Sequence, residues 1–172
     1  MKLLRRIGGV SVGLLLLAAV VVGVQAAVAS EGVVSSATGA GHVYVQSGDL
    51  RTFSFSAIKK PDGTVEGEAV FINRMPGGVT SHTDINCLNV GASANGNVAI
   101  LSGVITSSNN PNLVGLTAVI AVQDRGAGAN DPRDRITPTL ALGNTFDCND
   151  AAPDPNGLPL SDIALGNITV VS

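Results

Sequence analysis

The 172-residue chain has no tryptophan, one tyrosine, four phenylalanines, two histidines and two cysteines, and only 13% of its residues are charged. Each shortage removes a class of function. Sugar-binding modules stack their ligands on exposed rings, and Tyr44 with four phenylalanines that alternate like core residues offers no such platform. Two imidazoles, His42 and His82, leave little from which to assemble a metal centre of three or four ligands. A serine hydrolase needs a nucleophile beside a base, and the Gly-x-Ser-x-Gly elbow is missing. Basic residues are scarce too, ten Lys and Arg against thirteen Asp and Glu. Nucleic acid and anionic membranes, whose affinity comes from basic patches that release counterions, are therefore poor partners. The expectation is a protein that is not an enzyme and has no cofactor, no catalytic residues and no metal site.

The longest dense apolar run stands at the start. Lys2, Arg5 and Arg6 precede an apolar core over 14–24, and Ala27-Val28-Ala29 places small residues where a signal peptidase reads. The core is about ten residues long, where a membrane span takes about twenty. Leu4 before the Arg5-Arg6 pair and Ile7-Gly8-Gly9 after it fit ordinary leader charge better than a twin-arginine signal. Residues 1–29 are thus read as a cleaved signal peptide, 30–41 as a flexible lead-in of small polar residues, and 42–172 as a single all-β domain. No cysteine follows the cleavage region and no sorting tail precedes Ser172, so the expected product is secreted or periplasmic, without a membrane anchor after cleavage.

About 140 residues can bury a core without metals or a dense disulfide framework. In an oxidising compartment Cys87 and Cys148 are expected to be joined, closing a loop of about sixty residues for about 4 kcal/mol of stabilisation. The competing reading is a pair of free thiols, one on a strand and one in a loop.

Alternation starts at Leu50. Over 50–59, Phe53, Phe55 and Ala57 face one way while Thr52, Ser54 and Ser56 face the other, the period of a half-buried strand. Pro61-Asp62-Gly63-Thr64 turns the chain, since Pro presets φ and Gly accepts a positive one, and 65–74 completes a hairpin. Further strands are predicted over 79–90, 139–146 and 163–171, with Asn95-Gly96 closing a second hairpin. In 79–90, Val79, Ile85 and Cys87 are assigned one face, opposite Thr80, His82, Asp84 and Asn86. Two strands, one from Val98 to Thr106 and one from Leu116 to Val122, are apolar on both faces and so should be covered twice, by the core and by a loop, a second sheet or another chain. That cover suggests self-association or a protein partner. Seven or eight strands at hairpin spacing, with no helix after the leader, predict an antiparallel β-sandwich or small β-barrel.

His82 and Asp84, two apart on a strand, share a face that Asn86 continues. This row is the one polar candidate for a site, and a solvated face with an Asp–His hydrogen bond is the reading expected for it. Asp124, Asp131, Asp134, Asp147, Asp150 and Asp154 fall in two late loops, but no calcium-loop spacing appears and Arg125, Arg133 and Arg135 interleave positive charge. Solvated loops are expected there.

Several strings resemble one family of small secreted bacterial β-domains: Arg51-Thr52-Phe53-Ser54-Phe55-Ser56-Ala57, Asp62-Gly63-Thr64-Val65-Glu66-Gly67, His82 with Ile85-Asn86-Cys87-Leu88, Gly103-Val104-Ile105 and Gly166-Asn167-Ile168. Together they are similar to the post-choice-of-anchor domain. The resemblance implies export and a β fold without implying an activity. Where that family often continues after the Asp124 position with Asn-Gly-Glu-Gly, this chain has Arg125-Gly126-Ala127-Gly128, a lost carboxylate and a gained cation. The functional expectation is a binding or assembly domain at or outside the cell envelope. The alternatives are a carrier with an apolar cavity lined by Phe53, Phe55 and Phe71 and, third, a hydrolase using His82 and Asp84.

Overall fold

The computed structural model describes residues 32–45, 47–126, 132–137, 140–142 and 146–172; the leader expected over 1–29 lies outside them. The strands are β1 Ser35–Tyr44, β2 Leu50–Lys59, β3 Val65–Asn73, β4 Thr80–Ser93, β5 Gly96–Ser108, β6 Thr117–Asp124, β7 Arg135–Ile136, β8 Leu140–Leu142 and β9 Ser161–Val171. Neighbours pair antiparallel in the order β5-β4-β3-β2-β1-β9-β7-β6, and β6 pairs with β5 again. That last pairing makes the fold a closed eight-strand barrel and not a sandwich. β8 continues the line of β7 along the same edge of β6.

The first strand corrects the expected lead-in. Its inward positions are Ala37, Gly39, Gly41 and Val43, too small to show a hydrophobic period. They are small because the rings of β2 occupy their space. Gly39 pairs with Phe55 and Gly41 with Phe53, and a Cβ on Gly39 would stand 2.7 Å from the Phe55 ring. Phe53 lies 6.2 Å from Phe55 and 6.4 Å from Phe71, ring centre to ring centre. With Leu88, Leu101, Ile120, Ile136 and Ile168 these rings fill the barrel interior, so the apolar cavity expected between Phe53, Phe55 and Phe71 is occupied by the rings themselves.

A bulge corrects the second assignment. Between Ile85 and Cys87 the register of β4 against β5 shifts, with Cys87 opposite Ser102. An extra residue reverses the alternation, so Leu88 turns into the core and Cys87 turns outward. There its sulfur is bonded to that of Cys148, at 2.01 Å.

Cys148 belongs to a strap over 146–160 that crosses the outer face of β4, β5 and β6. Ile100 and Ala121 pack outward against Cys148 and Leu160, with Phe146 and Leu158 alongside. Asn89 Nδ2 donates to the carbonyls of Cys148 and Ala151, and Ser102 Oγ donates to that of Phe146. The second cover over the twice-apolar strands is therefore the chain's own loop. The feature that suggested a partner at that face is accounted for within one molecule.

Side chains complete the ring where strands do not. β7 pairs with only two residues of β9, Asp162 and Ser161. Farther along β9, the amide of Ile168 donates to Asp134 Oδ2 at 2.7 Å and that of Val170 to Asp124 Oδ2 at 3.0 Å. Asn97 Nδ2 donates to the Val170 carbonyl. Asp134 is 3% exposed and also accepts from the amide of Arg125. It is a closure residue of the barrel, contrary to the solvated-loop expectation.

Candidate functional site

Residues converge most clearly at one open end of the barrel. β2, β3, β4 and β5 end there, and alternation brings Arg51, Asn73, Ser81 and Ile105 to the inward side, with Phe71 one step deeper. Arg51 pairs with Asn73, and Phe71 with Ser81. The loops after β3 and β5 form the rim and hold each other. Asn109 accepts from the amide of Thr80 through Oδ1 and donates through Nδ2 to the carbonyl of Gly78, at 2.8 and 3.0 Å. Asn110 caps the 3-10 turn Pro111–Leu113 by accepting from the amide of Asn112. Leu113 is thereby set at the entrance opposite Val79.

The mouth so formed encloses about 180 Å³, lined by Arg51, Phe71, Asn73, Val79, Ser81, Ile105 and Leu113. An apolar cavity of about 150 Å³ admits benzene, so this one suits a compact molecule. Its walls are mostly hydrocarbon, yet its polar groups are donors. Asn73 spends Oδ1 on the amide of Met75, which leaves its Nδ2 free to donate. Arg51 Nε is the one buried side-chain nitrogen or oxygen among the described residues that has no hydrogen-bond partner. Guanidinium stays charged at any physiological pH, and native proteins rarely leave such a donor unpaired. Chemically the mouth can hold an apolar body and donate to an acceptor at its inner edge.

The residues singled out from sequence lie elsewhere. His82 and Asp84 stand on the outer face of β4, where Asp84 is directly opposite Glu68 and His82 opposite Val70. They line a shallow depression of about 310 Å³, and among the described residues no hydrogen bond joins the two. Like charges facing across a pair of strands disfavour each other, which is acceptable on a wet surface. Asn86, at the bulge, is also exposed but lines a separate depression with Cys87, Phe146 and Asp147. His42 is on β1, three strands from β4 and so about 14 Å away. Its Nδ1 lies 3.0 Å from Thr52 Oγ1, which also accepts from Arg74 Nε. The two imidazoles do not converge.

Among the described residues, the only three potential metal-ligand atoms within 4.8 Å of one another belong to Cys87, Asp147 and Cys148, and the two sulfurs are already bonded to each other. Asp147 and Asp154 instead cap the 3-10 turns of the strap, each accepting from the amide two residues on. Hydrogen bonds from the amide and side chain of Asn149 hold the Asp147 carboxyl below its usual value.

Sequence reasoning missed Arg51 although a signal was present. It is in phase with Phe53, Phe55 and Ala57, a charge on an apolar face. Asn73, Ser81 and Leu113 carried no comparable mark, since only barrel closure and the rim loops bring them together. In comparisons with known proteins, no family model, no curated protein and no solved structure matches this chain.

Proposed function

We propose that this protein is an exported β-barrel that works by binding a small ligand in its mouth and performs no chemistry of its own. One observation carries the reading: the buried Nε of Arg51, without a partner among the described residues, set in an apolar mouth whose rim is braced by Asn109. Mouths of β-barrels are common ligand sites, mostly apolar with a few placed polar groups. This is a carrier reading with the cavity at the end of the barrel, because the interior between the phenylalanines is filled. Export draws on the leader pattern of 1–29 and on the Cys87–Cys148 bond, which persists in oxidising compartments. No helix among the described residues is long and apolar enough to cross a membrane. The likeness to the post-choice-of-anchor domain is part of the same proposal.

The test is ligand-detected NMR on the mature protein with a mixture of compounds of about ten heavy atoms or fewer, the size such a cavity admits. Binders should appear and should be lost on Leu113→Trp, which fills the entrance. Equal signals from both proteins, or none from the wild type, would sink the reading. Export is checked by the mass of the protein recovered outside the cytoplasm, expected to begin at Ser30.

A further inference from the structure

We propose that the ligand is a small organic monocarboxylate with a compact apolar body, its carboxylate bound by Arg51 and its body by Phe71, Ile105 and Leu113; this rests on the mouth being the binding site. The polar groups select the charge. Arg51 Nε, Asn73 Nδ2 and the Ser81 hydroxyl can all donate, while Asn73 Oδ1 is engaged by the Met75 amide. A site of donors around a fixed positive charge favours an anion, and a planar guanidinium matches a carboxylate best. The Arg51 side chain has no ion pair or hydrogen bond to any described residue, and its Nε is buried, so a ligand carboxylate would supply the missing acceptor.

The walls select the rest of the molecule. Phe71 and Ile105 are buried core residues at 5% and 1% exposure, and they form the floor beneath the cation. An inorganic dianion would surrender its hydration to hydrocarbon on that side. An organic monoanion places charge against Arg51 and apolar surface against the floor and against Val79 and Leu113. The volume of about 180 Å³ fits a single ring or a short branched chain and excludes a long acyl chain from full enclosure.

Benzoate and its neutral near-isostere benzyl alcohol separate the two claims without relying on any variant. Both are titrated into ¹⁵N-labelled mature protein, with sulfate as a third probe. Benzoate should shift the amides of Arg51, Ser81 and Leu113 and bind about 10- to 100-fold tighter than benzyl alcohol, the factor expected of a charged hydrogen bond. Arg51→Met, with folding checked by its thermal melt, should erase that preference, benzoate falling to the alcohol's affinity or below. Equal affinity for benzoate and the alcohol at these amides would overturn the carboxylate assignment and leave the mouth as a site. Sulfate matching benzoate would overturn the organic body. No shift at the mouth with any probe would overturn both claims.

Discussion

Gly39 shows how one residue decides whether the barrel can hold its aromatic core. Any Cβ there meets the Phe55 ring at 2.7 and 2.8 Å and Ile168 at 3.0 Å, so the larger side chain must displace a packed ring. Overpacking of this kind costs about 1–3 kcal/mol. Gly39→Val is expected at the upper end of that range in urea denaturation. Gly157→Ala, with open space around it, should change stability by less than about 0.5 kcal/mol. Arg51 is the converse case, where the fold tolerates a residue that does not suit it. Replacing an unpaired buried donor by an apolar chain removes a desolvation cost of about 1–3 kcal/mol. Arg51→Met should therefore raise the thermal midpoint of the unliganded protein, the mark of a position kept for binding.

At the scale of elements, the strap over 146–160 is the part whose attachment can be tuned. The Cys87–Cys148 bond spans 61 residues and by chain entropy contributes about 4 kcal/mol. The double variant Cys87→Ser with Cys148→Ser should lose about that much in denaturant titration. It should also bind an apolar dye more strongly, because a lifted strap bares Ile100 and Ala121. Acid acts on the same element. The Asp147 carboxyl is held below its usual 3.8 by the Asn149 hydrogen bonds, so its folded form favours the charged state. The stabilisation is complete above the unfolded value and fades as pH falls through the folded one. Loosening of the Asn149 amide below about pH 3.8, seen by NMR, should disappear in Asp147→Ala, which has no cap to lose.

The whole molecule depends on how the ring closes. β7 is too short to cover β9, and the carboxylates of Asp134 and Asp124 take over as acceptors for its amides. Asp134→Ala would leave the Ile168 and Arg125 amides without acceptors, at about 1–3 kcal/mol for each buried group, and Ile168 should lose hydrogen-exchange protection. Asp134→Asn keeps one acceptor and should cost roughly half as much. A residue that reads as one carboxylate in a polar loop thus behaves as a strand would, accepting what a missing neighbour cannot.

Period-two alternation and turn chemistry determined much from sequence alone: the all-β class and the β2–β3 hairpin with its Phe53, Phe55 and Phe71 core. Those signals are local, repeating over a few residues whatever lies across the sheet. Four features escaped them because each depends on a neighbour distant in the chain. β1 is a strand since phenylalanines across from it need glycine. Cys87 faces outward since a bulge inserts one residue, and the twice-apolar strands are covered by a strap that arrives later in the chain, over 146–160. Arg51, Asn73, Ser81 and Leu113 form a mouth only once eight strands close, and barrel closure is a long-range pairing that no local pattern encodes.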